Sequence, residues 1–277
     1  MSNKSNGTHG TNGASTLDIQ QLFQAAEDEG SLSPAARAVL DVPDLGARIQ
    51  EGLGIKVDDV QSSEVVLVTF MPDDSGSIQF AGNAQVVRDG HNLVLDALLA
   101  SRQRDAILTH NRYLNGEVLY PYCPIARAVR MTAQNYQPDK GTPLYDQTVV
   151  LLGTVIAKTQ ELAGSGVPAR TVTLLLTDGA DQGSTRAKAR DVKAIVRDMV
   201  AAENHIVAAM GIDDGTTAFR DVFRSMGIED RWILTPGNDP AEIRKAFLVF
   251  SQSAVRASQG GASFSRTAAG GFGKPSP

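Results

Sequence analysis

The stretch VVLVTFMPDDSGS, residues 65–77, decides how this chain folds. Residues 65–70 are continuously apolar and rich in β-branched side chains, which is typical of a strand covered on both faces in a parallel sheet. Three oxygen-bearing side chains follow at alternate positions, namely Asp73, Ser75 and Ser77. Because ligands bind at the carboxyl edge of the strands in open α/β sheets, we interpret this loop as a candidate ligand site.

The donor types in this loop indicate which ligand it suits. Small hydroxyl groups beside carboxylates, with no Cys or His among them, suit a hard cation such as Mg²⁺ or Mn²⁺ better than zinc. The Asp-x-Ser-x-Ser pattern alone is a weak signal, because short clusters of Asp, Ser and Gly mostly form solvated turns. Two later stretches strengthen the metal-site interpretation.

The first of them, KGTPLYD at residues 140–146, places Thr142 just before a predicted helix whose first residue is Pro143. A threonine here commonly caps the helix, and a capping hydroxyl could not easily serve a metal as well, so the two interpretations of Thr142 compete. The second stretch, TDGADQG, follows an apolar strand and contains Asp178. Two buried parallel strands therefore present Asp73 and Asp178 at the same sheet edge.

Strands alternate with helices along the chain, which predicts a doubly wound α/β fold with a mostly parallel central sheet and helices on both faces. Asn115-Gly116 is a strong hairpin signal and predicts one antiparallel edge strand. The predicted strands cover residues 65–70, 106–114, 117–120, 171–176, 206–210 and 232–234.

The composition divides the chain into four parts. Residues 1–15 and 257–277 are poor in apolar side chains and are predicted to be disordered tails. Residues 16–61 carry three short amphipathic helices, an N-terminal extension that is expected to pack against the main domain at 62–256.

Charge and hydropathy limit the classes of partner. The net charge is -5 and the pI about 5.4, without a basic cluster, which argues against nucleic acid. The longest apolar run, residues 149–157, is far short of a bilayer span, and no secretory signal is visible. With a single cysteine, Cys123, an internal disulfide is impossible. We therefore expect a cytoplasmic protein without a membrane partner.

The three polar motifs, in this order and on these elements, resemble the metal-ion-dependent adhesion site (MIDAS) of the von Willebrand factor A (vWA) family. The resemblance covers roughly residues 62–256 and points to a cytoplasmic, bacterial-type member with a complete site. It implies that the hydroxyls of Ser75, Ser77 and Thr142 contact Mg²⁺ or Mn²⁺, and that Asp73 and Asp178 often act through bound water. Asp74 and Asp181 match no ligand position, and we expect them to be solvated.

The resemblance also implies a function. Mg²⁺ requires near-octahedral coordination, so a site of this kind leaves one exchangeable position that an Asp or Glu of a partner protein can fill. We expect a non-enzymatic interaction module within a multi-protein system, either beside an AAA+ ATPase or in a stress or tellurite-resistance-like setting.

Two alternatives stay open from the sequence. One is a Mg²⁺-dependent hydrolase of a phosphorylated substrate, with Asp74 or Asp181 as general base, although no His, Lys or Cys in the three loops is an evident base. The other is a structural scaffold whose site holds no metal.

Overall fold

The computed structural model describes residues 16–273, in which six strands form one sheet. They are β1 (Val65–Met71), β2 (Ile107–Arg112), β3 (Val118–Pro124), β4 (Ala169–Thr177), β5 (His205–Gly211) and β6 (Ile233–Leu234). The strand order is β3-β2-β1-β4-β5-β6, and only β2 and β3 pair antiparallel. The predicted mostly parallel sheet with one antiparallel edge strand is confirmed, and β3 extends beyond its predicted end at residue 120.

The order of the strands explains the position of the site. The chain moves from β1 to β2 and β3 on one side and returns to β4 on the other side of β1. β1 and β4 are paired up to Met71 and Leu175, so the loops after both strands leave the sheet side by side. This is the crevice at which ligands bind in doubly wound sheets.

Helices cover both faces of the sheet. They are α1 (Thr16–Asp28), α2 (Pro34–Leu40), α3 (Pro43–Leu53), α4 (Gly76–Phe80), α5 (Ala84–Leu99), α6 (Leu144–Gly164), α7 (Ala189–Ala201), α8 (Phe219–Ser225), α9 (Pro240–Ser258) and α10 (Gly261–Gly270). α5 packs against α9 on one face, whereas α6 packs against α7 and the N-terminal helices on the other. None of the helices within residues 16–273 has the length and apolar character needed to cross a bilayer.

The N-terminal extension belongs to the main hydrophobic core. Phe23, Leu40 and Ile49 are fully buried in the same cluster as the apolar residues of β1, β4 and α6. A Cβ on Gly153, in the middle of α6, would lie 2.8 Å from Ile49 Cδ1 and 3.0 Å from Leu40 Cδ2. α6 is thus enclosed between the sheet and α1–α3, which explains why its sequence is apolar nearly all round.

Gly54 joins the extension to the edge of the sheet. Its φ is +59°, and a Cβ at this position would lie 2.1 Å from the carbonyl oxygen of Tyr122 in β3. The next residue, Ile55, donates its backbone N–H to the same carbonyl at 2.8 Å. Only glycine allows the chain to pass this close to β3.

The C-terminal part of the chain differs from the prediction. Residues 261–270 form α10, in which Phe264 is buried, and Phe272 donates its backbone N–H to the Arg231 carbonyl. The Phe272 and Trp232 rings meet edge to face, with centroids 4.9 Å apart. The prediction of disorder over 257–277 was wrong here, because two phenylalanines anchor a stretch that is otherwise rich in Gly, Ser and Ala. Residues 1–15 and 274–277 lie outside the described residues.

Candidate metal centre

Asp73 ties the loop after β1 to the loop after β4. Its Oδ1 accepts the backbone N–H of Ser75 at 2.7 Å, and its Oδ2 accepts the hydroxyl of Thr177 at 2.6 Å and the backbone N–H of Asp178 at 3.4 Å. The side chain is fully buried, and burial raises the pKa of Asp73. Asp73 therefore lies behind the candidate site and orients the residues that carry its donors.

Three candidate ligand oxygens lie close together in front of Asp73. Ser75 Oγ is 2.9 Å from Ser77 Oγ, which in turn donates to Asp178 Oδ1 at 2.6 Å. Neighbouring oxygens of an octahedron with Mg–O distances of about 2.0–2.1 Å are themselves about 2.8–3.0 Å apart. Burial raises the pKa of Asp178 to about 6, and the nearby Asp73 carboxyl acts in the same direction.

Thr142 reaches the same cleft from the segment before α6. Backbone hydrogen bonds fix this segment on both sides: Gly76 donates to the Lys140 carbonyl at 3.0 Å, and Gln182 donates to the Thr142 carbonyl at 2.8 Å. Thr142 itself is nearly buried and lines the cleft together with Ser75, Ser77 and Asp178. The structure thus brings four of the five predicted ligands to one cleft and places the fifth, Asp73, directly behind it.

The residues that cap the amino end of α6 decide whether Thr142 is a helix cap or is available to a metal ion. The helix begins at Leu144, after Pro143, and the backbone N–H of Tyr145 is bonded by Asp181 Oδ1 at 3.2 Å and by Ser184 Oγ at 3.1 Å. Ser184 Oγ also accepts the backbone N–H of Asp146 at 3.0 Å. Because the loop after β4 provides the cap, the Thr142 hydroxyl is not used for it, and within residues 16–273 it makes no hydrogen bond.

Asp181 is half-buried and caps α6, whereas the prediction that Asp74 is solvated was wrong. Asp74 is only 4% exposed, and its Oδ1 accepts the backbone N–H of Asn115 in the β2–β3 turn at 2.9 Å. Burial raises the pKa of Asp74 to about 7. Its carbonyl accepts the backbone N–H groups of Asp139 and Lys140, which links the loop after β1 to the segment that carries Thr142.

Sequence reasoning missed Tyr136, a buried residue in the connection between β3 and α6. Its hydroxyl donates to the carbonyl of Asp73, and its ring lies 5.5 Å from that of Tyr113. The Tyr113 hydroxyl donates to the Asn135 carbonyl at 2.7 Å. The only signal for this support in the sequence is an aromatic residue within a polar, irregular segment.

The cleft has a volume of about 530 Å³ and is lined by polar and small residues, with Phe80 at its rim. Its donors are hydroxyl and carboxylate oxygens, and within residues 16–273 no group of three or more His, Cys, Asp or Glu side chains is arranged to hold a metal ion by itself. Such a donor set fits a hard divalent cation and not a zinc site of His and Cys. Ser75, Ser77, Thr142 and Asp178 are the residues that would hold the ion.

Comparison with protein-family models and with curated proteins found no match. Among solved structures, the chain is similar to the pilus adhesin SpaC from Lactobacillus rhamnosus GG, with 12% identity, coverage of 71% of this chain and 31% of that chain, and a TM-score of 0.52. At this identity the likeness is one of fold alone.

The chain is less similar to the SpRpn10 VWA domain, with 7% identity, coverage of 67% of this chain and 94% of that chain, and a TM-score of 0.47. Another likeness is to proximal thread matrix protein 1 from the mussel byssus, with zinc occupying its MIDAS motif, at 14% identity, coverage of 69% of this chain and 46% of that chain, and a TM-score of 0.43. This chain therefore spans about a third of the adhesin and less than half of the mussel protein.

Proposed function

We propose that this chain is an interaction module that depends on a divalent metal and captures an Asp or Glu side chain of a partner protein. The observation that carries the proposal is the arrangement of the oxygens of Ser75, Ser77 and Asp178 within 2.9 Å of their neighbours in an open cleft. The uncommitted hydroxyl of Thr142 lines the same cleft. A bound Mg²⁺ or Mn²⁺ supplies an electrophilic position that a carboxylate can fill.

The residues of the chain do the positioning. Asp73 fixes the backbone of Ser75 and Asp178, and Gln182 fixes the backbone of Thr142, so the donors are held in place before an ion arrives. Such preorganisation lowers the ordering cost of binding. The cleft, with a volume of about 530 Å³, leaves room for a partner side chain beside the ion.

The hydrolase alternative needs a general base in this cleft. Asp181 is engaged at the first turn of α6, and Asp74 lines a separate small cavity. His91 and His110 are buried elsewhere, and His205 lies at the amino end of β5, away from the carboxyl edge. Asp213 and Asp214 also line the cleft, but both are exposed and accept backbone N–H groups of their own loop. These positions favour the binding module over the enzyme.

On the vWA resemblance we further propose that the module works in the bacterial cytoplasm within a multi-protein assembly that includes an AAA+ ATPase. Co-purification from the native host in Mg²⁺ and in EDTA tests this setting.

The central experiment measures the metal site directly. Titration calorimetry with Mn²⁺ is expected to give one site per chain, with affinity at least tenfold weaker in Thr142→Ala. Thr185→Ala, which changes an exposed threonine in the loop after β4, is the matched control and is expected to bind as the wild type does. Equal affinity of all three proteins would contradict the proposal.

The open coordination position has its own readout. Water-proton relaxation by protein-bound Mn²⁺ is expected to fall when acetate is added, because the carboxylate displaces a bound water. An unchanged relaxation rate at saturating acetate would exclude carboxylate capture.

A further inference from the structure

A second, smaller cavity lies beside the metal cleft. It has a volume of about 230 Å³ and is lined by Asp74, Tyr113, Glu117, Tyr136, Asp139 and Lys140, among others. Lys140 lines both the cavity and the metal cleft, so the two are neighbours at the same edge of the sheet. Typical small-molecule pockets measure about 300–1,000 Å³, which makes this cavity the size for one side chain.

The carboxylate of Asp74 is the key group in this cavity. The residue is 4% exposed, and Oδ1 accepts the backbone N–H of Asn115 at 2.9 Å. Its Oδ2 accepts no hydrogen bond from any group within residues 16–273. This oxygen is accessible to solvent, so it is available to a donor group that enters the cavity.

The surroundings add negative charge and aromatic surface. Glu117 and Asp139 are exposed at the mouth of the cavity, and the single base that lines it, Lys140, has its Nζ 2.8 Å from Asp139 Oδ1. The rings of Tyr113 and Tyr136 lie 5.5 Å apart along its wall. Carboxylates combined with aromatic faces attract ammonium and guanidinium groups.

We propose that this cavity is a subsite for a Lys or Arg side chain of the same partner that places a carboxylate on the metal. The inference rests on the proposed function and specifies the partner motif: one acidic residue with a basic residue close to it. A metal ion in the cavity is disfavoured, because one buried carboxylate with two exposed ones does not form a closed ligand set.

A peptide library tests the motif. Displayed octapeptides with one fixed Asp and randomised neighbours are selected on the full chain in Mg²⁺ and, in parallel, in EDTA. We expect Mg²⁺-dependent retention with Lys and Arg enriched at a constant offset from the Asp. An enriched peptide and its Lys→Gln counterpart are expected to differ about tenfold in Kd on the wild type and by less than twofold on Asp74→Asn.

Two further variants serve as controls for charge and fold. Asp74→Asn keeps an oxygen that can accept the Asn115 N–H, and its Mn²⁺ affinity is expected to stay within threefold of wild type. Glu117→Gln changes an exposed residue and is expected to reduce the Lys preference severalfold, which provides a test even if Asp74→Asn does not fold. Asp59→Asn removes the same charge in the exposed connection before β1 and is expected to leave the preference unchanged.

The outcomes separate the two proposals. Mg²⁺-dependent retention of Asp peptides without a basic preference, or a preference that survives Asp74→Asn and Glu117→Gln, overturns the subsite alone. An apolar preference that disappears in Phe80→Ser assigns the contact to the 93% exposed Phe80 ring and also overturns it. If no Asp peptide depends on Mg²⁺ for retention, both proposals fail.

Discussion

The cleft at the carboxyl edge and the face of α6 under the N-terminal extension are built on opposite principles. At the carboxyl edge, Asp178 lines the cleft while Asp73 and Asp74 are buried beside it, and the charged groups that raise the pKa values of Asp74 and Asp178 are other carboxylates. Under the extension, Phe23, Leu40 and Ile49 are fully buried among apolar side chains, and an open groove of about 640 Å³ remains where α2, α3 and α6 diverge. We infer that apolar packing of the extension stabilises the folded state and so offsets the cost of a preorganised anionic site.

Removal of an aromatic residue from the extension is expected to have the largest effect on stability and tests this difference between the two regions. Phe23→Ala deletes a fully buried side chain and is expected to lower the free energy of unfolding by about 3–5 kcal/mol. Phe80→Ala, at the rim of the cleft, makes the same change at a residue that is 93% exposed and is expected to stay within about 0.5 kcal/mol of wild type. Denaturant unfolding of both variants in EDTA measures the difference, and equal effects would show that the extension adds little.

A backbone change at the joint between extension and sheet is expected to have the next largest effect. Gly54→Ala places a Cβ against the Tyr122 carbonyl, at a positive φ, and is expected to destabilise by about 2–4 kcal/mol. Gly30→Ala has a similar φ of +75° but nothing within 4 Å of the added Cβ. Its cost should be about 1 kcal/mol, from φ alone. Similar melting temperatures for the two variants would show that the contact of the added Cβ with the Tyr122 carbonyl costs nothing beyond the positive φ.

Metal binding is expected to act on the cleft and not on the extension. At a Mg²⁺ concentration of 100 times Kd, the wild type should gain about 2.7 kcal/mol over the EDTA sample. Phe23→Ala should keep this gain, whereas Asp178→Asn should lose it. In EDTA, Asp178→Asn is expected to be more stable than wild type by up to about 1 kcal/mol, because one of the crowded buried charges is gone. A gain from Mg²⁺ that persists in Asp178→Asn would place the ion elsewhere.

The smallest effect concerns pH. Burial raises the pKa of Asp178 to about 6 and that of Asp74 to about 7, so protonation favours the folded state without metal, and this contribution grows as the pH falls from 7 towards 4. Mg²⁺ binding requires the charged form of Asp178 instead, whereas the protonation of Asp74 affects the samples with and without metal alike. The melting-temperature gap between Mg²⁺ and EDTA samples is therefore expected to narrow from pH 7 to pH 5.

The buried histidines act in the opposite direction. Burial lowers the pKa of His91 to about 4 and that of His110 to about 3. The stability that these neutral side chains contribute to the folded state is therefore fully present above about pH 6.5 and is lost as the pH falls below it. This loss affects the Mg²⁺ and EDTA samples equally, so it cancels in the difference between their melting temperatures. A gap that is constant from pH 7 to pH 5 would contradict a role for Asp178 in metal binding.

Local patterns carried much of the fold prediction. The apolar run of β1, the Asn115-Gly116 turn and the alternation of strands with helices depend on neighbouring residues, and the structure shows the predicted sheet. Because parallel strands share an edge, the same patterns also placed Asp73 and Asp178 on adjacent loops.

Interactions between distant segments were not predictable in this way. The cap that Asp181 and Ser184 provide for α6, the burial of Asp74 against Asn115 and the support from Tyr136 each join parts of the chain with no shared periodicity. A carboxylate in a polar loop looks solvated until the segment that covers it is known. The position of Phe272, just after α10, depends in the same way on Trp232.

α6 connects the two contrasting regions mechanically. Its 21 residues span about 32 Å at 1.5 Å per residue, from the segment carrying Thr142 to the end enclosed by α1–α3. Because its first turn is bonded to the loop that also carries Asp178, α6 gives this loop and the Thr142 segment a common rigid support. The extension thus fixes the position of one wall of the cleft from a distance, and we expect the ion to bind without any movement of the extension.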